Sequence, residues 1–530
     1  MDHERNEHHG RDEHHDGRRE VEVLVIGAGL SGVGAAITLR KAGLGDVVVL
    51  EKSERLGGTW RDSVYPGCGC DVPSMLYEYS FAPHDWSRSF AGRQEILEYL
   101  ESTAAAHGLD EVIRYGVEVL SGRWDAHAHR WRLDTSAGAY VARSLVVATG
   151  PWHTPRYPDI AGLADFPGTV FHSARWNRAV DLTWRRVAVI GTGASTVQFL
   201  PEIQSRAARV EVFQRTAPWV LPKPDHALPP AVRRFLHRPL AHGVLRGVQH
   251  WTQEAIGLAL RHPWILPPLE AAARRHMRGS ITDPVLREAV TPDYRLGGRR
   301  LLTSDAYYRA LTRPNVRLHP TAVTEVRGDD VIGADGTRAR ADTIILASGY
   351  HIGDLAIARN LHGAHGETLH QTWQHGRRAY LGTSVGGYPN LFLLLGPNVL
   401  SGTSAVPTVL EAQLRYIVGA LTRLRHGGHT ALDVLPEVQR AHNAAVQEAL
   451  RTTVYATAGA RTGYYFSPPG LNTFCWPWST RRLLKRLHTF DPAAYAWHTT
   501  GRSDVRLPAQ GDAHVVLRDR TAAGHRSPDH

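Results

Sequence analysis

Two glycine-rich turns, each between an apolar strand and a helix, constrain this chain more than any other feature. The first follows the apolar run Val21–Ile26 and has the pattern G-x-G-x-x-G, with glycines at Gly27, Gly29 and Gly32. Such a turn lets the backbone bend tightly, approach a pyrophosphate and pack closely against the following helix. The next strand ends at Glu51, 24 positions after Gly27, where an acid is expected to bind a ribose hydroxyl. The pattern predicts a dinucleotide-binding fold.

A second turn of the same kind follows the run Arg186–Ile190. It carries Gly191 and Gly193, with Thr196 in place of the third glycine, and its next strand leads to Arg215, 24 positions after Gly191. An acid at this offset suits a free ribose 2′-hydroxyl, whereas an arginine suits a 2′-phosphate. We therefore predict FAD at the first turn and NADPH at the second. The alternative for the arginine alone is an ordinary solvated residue at a strand end.

Alternating strand and helix patterns predict an α/β fold with two Rossmann-like, dinucleotide-binding domains. We expect a discontinuous FAD-binding domain, formed by residues 21–155 and 336–500. The NADP-binding domain is expected at 156–335, with a proline-rich helical insertion at 217–292. Residues 1–20, which hold five histidines among charged residues, and residues 501–530 are expected to be loose tails.

Composition limits the partners and the compartment. The chain has 61 basic and 51 acidic residues, but all except four of the basic residues are arginines scattered along the whole chain, so no nucleic-acid site is predicted. Three cysteines in 530 residues exclude a disulfide framework, and no metal site is predicted. The chain opens without a secretory signal, and prolines interrupt its longest uncharged stretch, 379–410. We expect a cytoplasmic protein without a membrane span.

Two further segments indicate a particular family more specifically than the glycine turns do. The segment Gly57–Asp71 reads GGTWRDSVYPGCGCD and resembles the flavin-proximal motif of the type I Baeyer–Villiger monooxygenases. Residues 166–176 resemble that family's fingerprint F-x-G-x-x-x-H-x-x-x-W, with matches at Phe166, Gly168, His172 and Trp176. Asn177 departs from the Pro or Asp that follows the fingerprint in the family. The resemblance extends over residues 21–495.

The resemblance implies an NADPH-dependent flavoprotein monooxygenase. In this family, FAD reduced by NADPH traps O2 as a C4a-peroxide, which inserts one oxygen next to a ketone carbonyl and gives an ester or lactone. Arg300 falls where relatives carry their active-site arginine, and Arg299 stands where a lysine is usual. Asp71 is expected near the flavin, paired with Arg300. These two, Arg300 and Asp71, are the predicted catalytic residues.

The turns and the resemblance together assign the cofactor contacts. Beyond the three glycines and Glu51 of the first turn, the predicted cofactor-binding residues are Gly58, Thr59, Trp60, Asp71, Val72, Tyr77, Val119, Thr192, Gly193, Ala194, Ser195, Thr196, Gln198, Gln214, Arg215 and Arg299. For His172 and Trp176, a purely structural role is the alternative. A ketone and O2 are the expected small-molecule partners, and we expect a monomer or a weak homo-oligomer.

Two other functions stay open at this point. The same scaffold can oxygenate the nitrogen of an amine or the sulfur of a sulfide. A non-catalytic flavin-binding redox sensor is the third reading, against which the paired nucleotide turns argue.

Overall fold

The computed structural model describes residues 19–353, 355–459, 465–467 and 470–499. The two predicted tails lie outside the described residues, except that Arg19 and Glu20 begin the first strand. Helices alternate with largely parallel sheets, so the predicted α/β class is confirmed. In the described ranges, no helix is both long and apolar enough to cross a bilayer.

The strands follow one another along the chain as β1 (Arg19–Ile26), β2 (Val47–Leu50), β3 (Ile113–Arg114), β4 (Val119–Asp125), β5 (Arg130–Thr135), β6 (Gly138–Val147), β7 (Thr169–His172), β8 (Arg186–Ile190), β9 (Arg209–Phe213), β10 (Val220–Leu221), β11 (Leu302–Thr303), β12 (Val316–His319), β13 (Val323–Arg327), β14 (Asp330–Gly333), β15 (Arg338–Arg340), β16 (Thr343–Leu346), β17 (Leu361–His362), β18 (Leu391–Leu393), β19 (Ala431–Val434), β20 (Phe466–Ser467), β21 (Leu471–Asn472) and β22 (Tyr495–His498).

The α-helices are α1 (Leu30–Lys41), α2 (Thr59–Asp62), α3 (Arg93–Ala106), α4 (Ala194–Gln204), α5 (Pro230–Leu236), α6 (Pro239–Arg261), α7 (Leu266–Ser280), α8 (Pro284–Ala289), α9 (Tyr307–Leu311), α10 (Leu369–Thr372), α11 (Val406–His426), α12 (Pro436–Leu450), α13 (Val454–Thr457) and α14 (Thr480–His488).

The first sheet is assembled from two distant parts of the chain. Its main path runs β17-β4-β5-β6-β1-β2-β3, and β18 also pairs with β6. Strands β6, β1, β2 and β3 are parallel, which places their carboxyl ends, and the first glycine turn, at one edge. Helix α1 packs against β1 and α11, and its buried residues belong to the largest apolar core. The chain returns to this sheet after building the second one.

The second sheet is parallel throughout, in the order β12-β9-β8-β16-β7. It carries the second glycine turn at the end of β8. Strand β16 corrects the predicted boundary at residue 336, because it pairs with β7 and β8 here instead of opening the second part of the FAD-binding domain. Its run of buried residues, Thr343–Leu346, fits a central parallel strand of either sheet, so the sequence alone does not decide between them. The other domain boundaries stay a prediction.

The predicted insertion is mostly helical and packs against the segment that follows Asp71. Helices α5, α6 and α7 follow one another between β10 and β11. Arg246 of α6 donates from Nη1 to the carbonyl oxygen of Met75 at 2.7 Å, and it pairs with the buried carboxylate of Glu78 at 3.4 Å. These contacts fix α6 against the segment that follows Asp71.

Candidate active site

The first glycine turn is held in shape by close backbone packing. The amide of Gly27, which has a φ of +100°, donates to the carbonyl oxygen of Leu50 at 2.8 Å. A Cβ built on Gly32 would come within 1.8 Å of the Gly27 carbonyl oxygen, so no larger residue fits there. Gly29 immediately precedes α1, whose first backbone N–H groups are therefore directed at the turn.

Glu51 directly follows β2 and is buried beside this turn. Its Oε2 accepts a hydrogen bond from the Ala28 amide at 2.8 Å, and Oε1 accepts one from the Ser53 amide at 3.0 Å. Arg61 lies 3.2 Å from the same carboxylate. The acid therefore braces the turn in addition to lying at the predicted ribose position.

The second turn tolerates Thr196 for a specific reason. The Thr196 hydroxyl donates to the carbonyl oxygen of Gly191 at 2.8 Å. The side chain therefore adds a hydrogen bond to the backbone of the turn, which a third glycine could not provide. Arg215 is exposed at the end of β9 and faces the cavity. Its neighbour Gln214 is buried, and its side-chain amide donates to the carbonyl oxygen of Ala289 at 2.7 Å. Gln214 thus anchors the end of α8 and does not line the cavity.

One cavity of about 1770 Å³ lies between the two sheets and joins both turns. It exceeds the roughly 300–1,000 Å³ that a drug-sized ligand needs. The predicted cofactor-binding and catalytic residues that line it are Gly27, Gly29, Glu51, Gly58, Thr59, Trp60, Asp71, Val72, Tyr77, Val119, Thr192, Gly193, Ala194, Ser195, Gln198, Arg215, Arg299 and Arg300. Of the predicted residues, Gly32, Thr196 and Gln214 do not reach it.

Asp71 and Arg300 meet inside this cavity. Arg300 Nη2 donates to Asp71 Oδ2 at 2.7 Å, and the pair is partly shielded, with the Asp71 side chain 14% and the Arg300 side chain 40% exposed. The Arg300 guanidinium carbon also lies 5.9 Å from the centre of the Trp152 ring. A guanidinium stays cationic in such a setting and offers a planar fork of donors. The site therefore holds an ion pair whose permanent cation lines the cavity that both turns reach.

A side chain from the helix that follows the second glycine turn holds the same carboxylate. Gln198 of α4 donates from Nε2 to Asp71 Oδ1 at 3.2 Å and to the carbonyl oxygen of Gly69 at 3.0 Å. The Tyr65 hydroxyl donates to Gln198 Oε1 at 2.9 Å. Predicted as a cofactor contact, Gln198 thus links the Gly57–Asp71 segment to the NADP-side helix.

Trp60 and Tyr77 form the wall next to Asp71. Trp60 Nε1 donates to the Tyr77 hydroxyl at 3.2 Å, and the two rings pack edge to face with centroids 5.4 Å apart. Burial raises the pKa of the Tyr77 hydroxyl far above its usual range, so this group stays protonated. The wall is held together by this contact and carries no charge.

The fingerprint residues lie outside the cavity lining. Phe166 and Gly168 pack where the chain enters β7, and a Cβ on Gly168 would meet the Asp342 carbonyl oxygen at 2.3 Å. His172 ends β7 with its Nδ1 accepting from the Ala174 amide at 3.0 Å, and burial lowers its pKa to about 4. The imidazole is therefore neutral at physiological pH, which favours the structural role.

Trp176 completes that structural segment. Its ring lies 5.0 Å from the ring of Phe171 and 5.3 Å from that of Phe199, centroid to centroid, and so connects β7 to α4. Asn177 Oδ1 accepts from the Ala179 amide at 3.0 Å. An aspartate would present the same acceptor, which explains why Asn fits here.

Sequence reasoning missed several residues of the cavity wall. Thr252, Gln253 and Ile256 come from α6, and Trp152 and Arg377 come from two other segments. The buried Arg377 donates from Nη2 to the Thr473 hydroxyl at 3.3 Å. No motif marks these positions. In a chain with so many arginines, the sequence alone does not distinguish the buried Arg377.

Known proteins resemble this chain over almost all of its length. A family model for pyridine nucleotide-disulphide oxidoreductases matches residues 24–256. A Baeyer-Villiger monooxygenase of Streptomyces coelicolor is 44% identical over 491 residues, covering 91% of this chain and 94% of that protein. One of Pseudomonas aeruginosa is 37% identical over 502 residues, covering 94% and 95%.

Solved structures agree with the fold. An oxidized steroid monooxygenase bound to NADP superposes with a TM-score of 0.79 at 27% identity, covering 90% of this chain and 99% of that one. A complex of OTEMO with FAD and NADP gives 0.78 at 25% identity, covering 88% and 97%. With two nucleotide turns on one cavity, an arginine–aspartate pair between them and relatives of this identity, the chain belongs to the Baeyer–Villiger monooxygenases, a family of FAD- and NADPH-dependent flavoprotein monooxygenases.

Proposed function

We propose that this enzyme inserts one oxygen atom from O2 next to the carbonyl of a ketone and so produces an ester or a lactone. The observation that carries the proposal is the contact of 2.7 Å between Arg300 and Asp71 in a cavity that both glycine turns reach. Heteroatom oxygenation does not need a cation fixed beside the reacting oxygen. Oxygen insertion at a carbonyl does, because negative charge develops on the carbonyl oxygen.

The residues present fit both cofactors. A Cβ on Gly58 would come within 3.1 Å of the Gly29 Cα, so two glycine backbones lie face to face and leave the turn open to the cavity. We assign FAD to this turn and to Glu51. NADPH is assigned to the turn after β8, where Arg215 would bind a 2′-phosphate. When bound, the flavin supplies the oxygen transfer, with electrons from NADPH.

The protein groups then have separate tasks. Arg300 would stabilise the negative charge on the oxygen of the substrate carbonyl, since its charge is permanent and a nearby apolar wall lowers the local dielectric. Asp71 is a positioning residue that fixes the direction of the guanidinium fork through a charge-assisted hydrogen bond. Gln198 in turn positions Asp71.

The substrate class and the assembly complete the proposal. The enzyme acts on a small-molecule ketone, as a monomer or a weak homo-oligomer in the cytoplasm. The ketone approaches Arg300 past the apolar side chains that share its cavity, among them Trp152, Leu301 and Phe474. Their exclusion of water would protect the reacting oxygen from wasteful release as hydrogen peroxide.

The deciding experiment is product analysis. The purified protein, loaded with FAD, is incubated with NADPH, ¹⁸O2 and a panel of cyclic, linear and aryl ketones. We expect an ester or lactone that carries one ¹⁸O atom. NADPH oxidation that yields hydrogen peroxide alone with every ketone, combined with sulfoxide formation from a sulfide, would establish heteroatom oxygenation instead. Flavin binding without substrate-stimulated NADPH oxidation would establish the redox sensor.

A further inference from the structure

The outward face of α6 is apolar along the length of the helix. Its large exposed side chains are Leu240, Val244, Val248, Trp251 and Leu258, which we call the apolar face of α6. Their spacings of three, four and seven residues place them on one side of a helix. Leu240 is 81% and Trp251 61% exposed. Every exposed residue of α6 is uncharged.

The charged residues of this helix point the other way. Arg246 bonds the Met75 carbonyl oxygen, and His242 Nε2 lies 2.8 Å from the Glu78 carboxylate. Glu254 is buried, accepts from the Thr480 amide at 2.9 Å and pairs with Arg261. An ordinary surface helix turns its apolar side inward, whereas α6 turns its apolar side outward and its charged side inward. A continuous apolar strip of this kind marks an interaction surface.

Two neighbouring aromatic residues extend the surface. Phe235 of α5 is 54% exposed, and Trp264, in the short turn Pro263–Ile265 after α6, is 79% exposed. The guanidinium carbon of Arg238 lies 5.7 Å from the centre of the Phe235 ring. Phe235 thus stands beside a basic side chain just before α6, and Trp264 lies just after the other end of the helix.

The segment that carries this surface is mostly basic. Residues 226–282, all of them described, contain eight arginines and two acids. The two acids, Glu254 and Glu270, are buried and paired with arginines. The exposed charges of the segment are therefore all positive, from Arg234, Arg238, Arg274, Arg275 and Arg278.

We propose that the apolar face of α6, together with Phe235 and Trp264, docks on the surface of an anionic lipid bilayer. Exposed Trp, Phe and Leu beside arginines are the composition of helices that lie in the headgroup layer. A second copy is a worse occupant, because it would bring two positively charged surfaces together. A single convex helix face also suits deformable lipid better than it suits a rigid protein surface.

Docking would set the active-site cavity against the lipid. Thr252 is exposed and also lines the cavity, as do Gln253 and Ile256 of the same helix. The cavity wall therefore includes the residue next to Trp251, on the helix that carries the apolar face. We infer that ketones dissolved in the bilayer are the natural substrate class. This second part rests on the proposed function, whereas the docking itself does not.

Vesicle binding tests the docking. The FAD-loaded enzyme is sedimented with vesicles of phosphatidylglycerol and phosphatidylcholine, or of phosphatidylcholine alone. We expect binding to the anionic vesicles only, and an affinity at least about tenfold weaker for V248S/W251S, because two apolar side chains are removed. The matched control is W184S, since Trp184 is 83% exposed and lies outside the insertion. It should bind as the wild type does, and both variants should keep the wild-type melting temperature.

Three results would overturn the docking: no binding to anionic vesicles, equal binding to neutral vesicles, or undiminished binding of V248S/W251S. Loss of a concentration-dependent dimer in V248S/W251S, seen by sedimentation velocity, would assign the surface to a second copy instead.

A kinetic comparison tests the substrate class. For a long-chain ketone dissolved in anionic vesicles, V248S/W251S should raise KM severalfold, while KM for a small water-soluble ketone stays unchanged. Equal KM values for both ketones in both proteins would refute bilayer delivery. Failure of every ketone to be oxidised would contradict the proposed function and would leave the vesicle-binding result unaffected.

Discussion

Arg300 Nη2 lies 2.7 Å from Asp71 Oδ2, although the two residues are 229 positions apart in the chain. Gln198 donates to the other oxygen of the same carboxylate at 3.2 Å. Two distant segments therefore converge on Asp71, and one of them is the helix that follows the second nucleotide turn. Asp71, held in turn by Gln198, therefore fixes the direction of the Arg300 guanidinium.

Replacing Arg300 with lysine should separate flavin reduction from oxygen insertion. Lysine keeps the charge but loses the planar fork that addresses Asp71 and the substrate oxygen together. We expect the ester yield to fall at least about a hundredfold, the loss typical of removing one oxyanion donor. Stopped-flow absorbance should still show the flavin reduced and reoxidised, with hydrogen peroxide as the product.

The control for this variant is Arg317→Lys, at an exposed position of β12 outside the cavity lining. It should keep the wild-type yield. Sulfoxidation should survive in Arg300→Lys if the arginine acts only on the carbonyl oxygen. Full ester yield in both Arg300→Lys and Arg300→Ala would show that the charge is supplied by another residue.

Gly67 controls the contact between the Gly57–Asp71 segment and α4. It has a φ of +71°, and a Cβ there would lie 2.5 Å from the Gln198 carbonyl oxygen. Gly67→Ala should therefore displace the segment that carries Asp71 and destabilise the protein by about 2–4 kcal/mol. Thermal unfolding measures the loss, and the KM for NADPH reports the disturbed interface.

A matched glycine separates strain from steric clash. Gly366 has a φ of +82°, and no atom lies within 4 Å of the place that an added Cβ would take, so Gly366→Ala meets only the cost of the left-handed backbone. That cost is about 1–2 kcal/mol. If Gly67→Ala and Gly366→Ala have the same melting temperature and the same KM for NADPH, the clash at residue 67 is relieved without moving Asp71.

The glycine turns and the acid and base that follow them could be predicted because strand, turn and helix are consecutive in sequence. The pairing of Asp71 with Arg300 was also expected, although only from the family resemblance. Their roles in the reaction stay predictions. The Rossmann-like fold followed from these local patterns, since each turn specifies how its own strand and helix pack.

Other features depend on contacts that no local pattern encodes. Strand β16 has the composition of either sheet, and only pairing with β7 and β8 decides its place. The Gln198 side chain lies on α4 next to predicted NADP contacts, yet its amide reaches Asp71. The residues of α6 that line the cavity lie in a helix with no motif. The fingerprint residue His172 is of a type that often takes part in catalysis, but it is buried outside the cavity lining, which favours a structural role.

Arg215 should decide the choice between the two nicotinamide coenzymes. Arg215→Ala removes the only contact proposed for the 2′-phosphate, and a charge-assisted hydrogen bond contributes about 1.5–3 kcal/mol, or roughly 10- to 150-fold in affinity. The KM for NADPH should rise by that factor, while the KM for NADH changes little. Steady-state kinetics with both coenzymes measure the ratio.

Arg206→Ala is the matched control, because Arg206 is exposed just after α4 and does not line the cavity. It should leave both KM values unchanged. Equal increases for NADPH and NADH in Arg215→Ala would place the 2′-phosphate elsewhere.

Asp433 should make the stability of the protein depend on pH. Burial raises the pKa of this carboxyl to about 7, although the Gly387 amide donates to it at 2.9 Å. Between its ordinary pKa of 3.8 and about 7, the folded state holds a proton that the unfolded state has lost. The folded state thus binds more protons, so its stability falls as pH rises through this window. Above pH 7 the contribution is constant.

Asp433→Asn removes this dependence, because the amide is neutral in both states. Between about pH 5 and pH 8, the stability of the variant relative to the wild type should rise by roughly 2–3 kcal/mol. Melting temperatures measured across this range give the trend. The control is Asp335→Asn, since the Thr337 amide holds the pKa of Asp335 below its usual value and that acid stays ionised throughout the window. A constant difference between Asp433→Asn and the wild type would mean that Asp433 is already ionised at pH 5, with water or another donor compensating its burial.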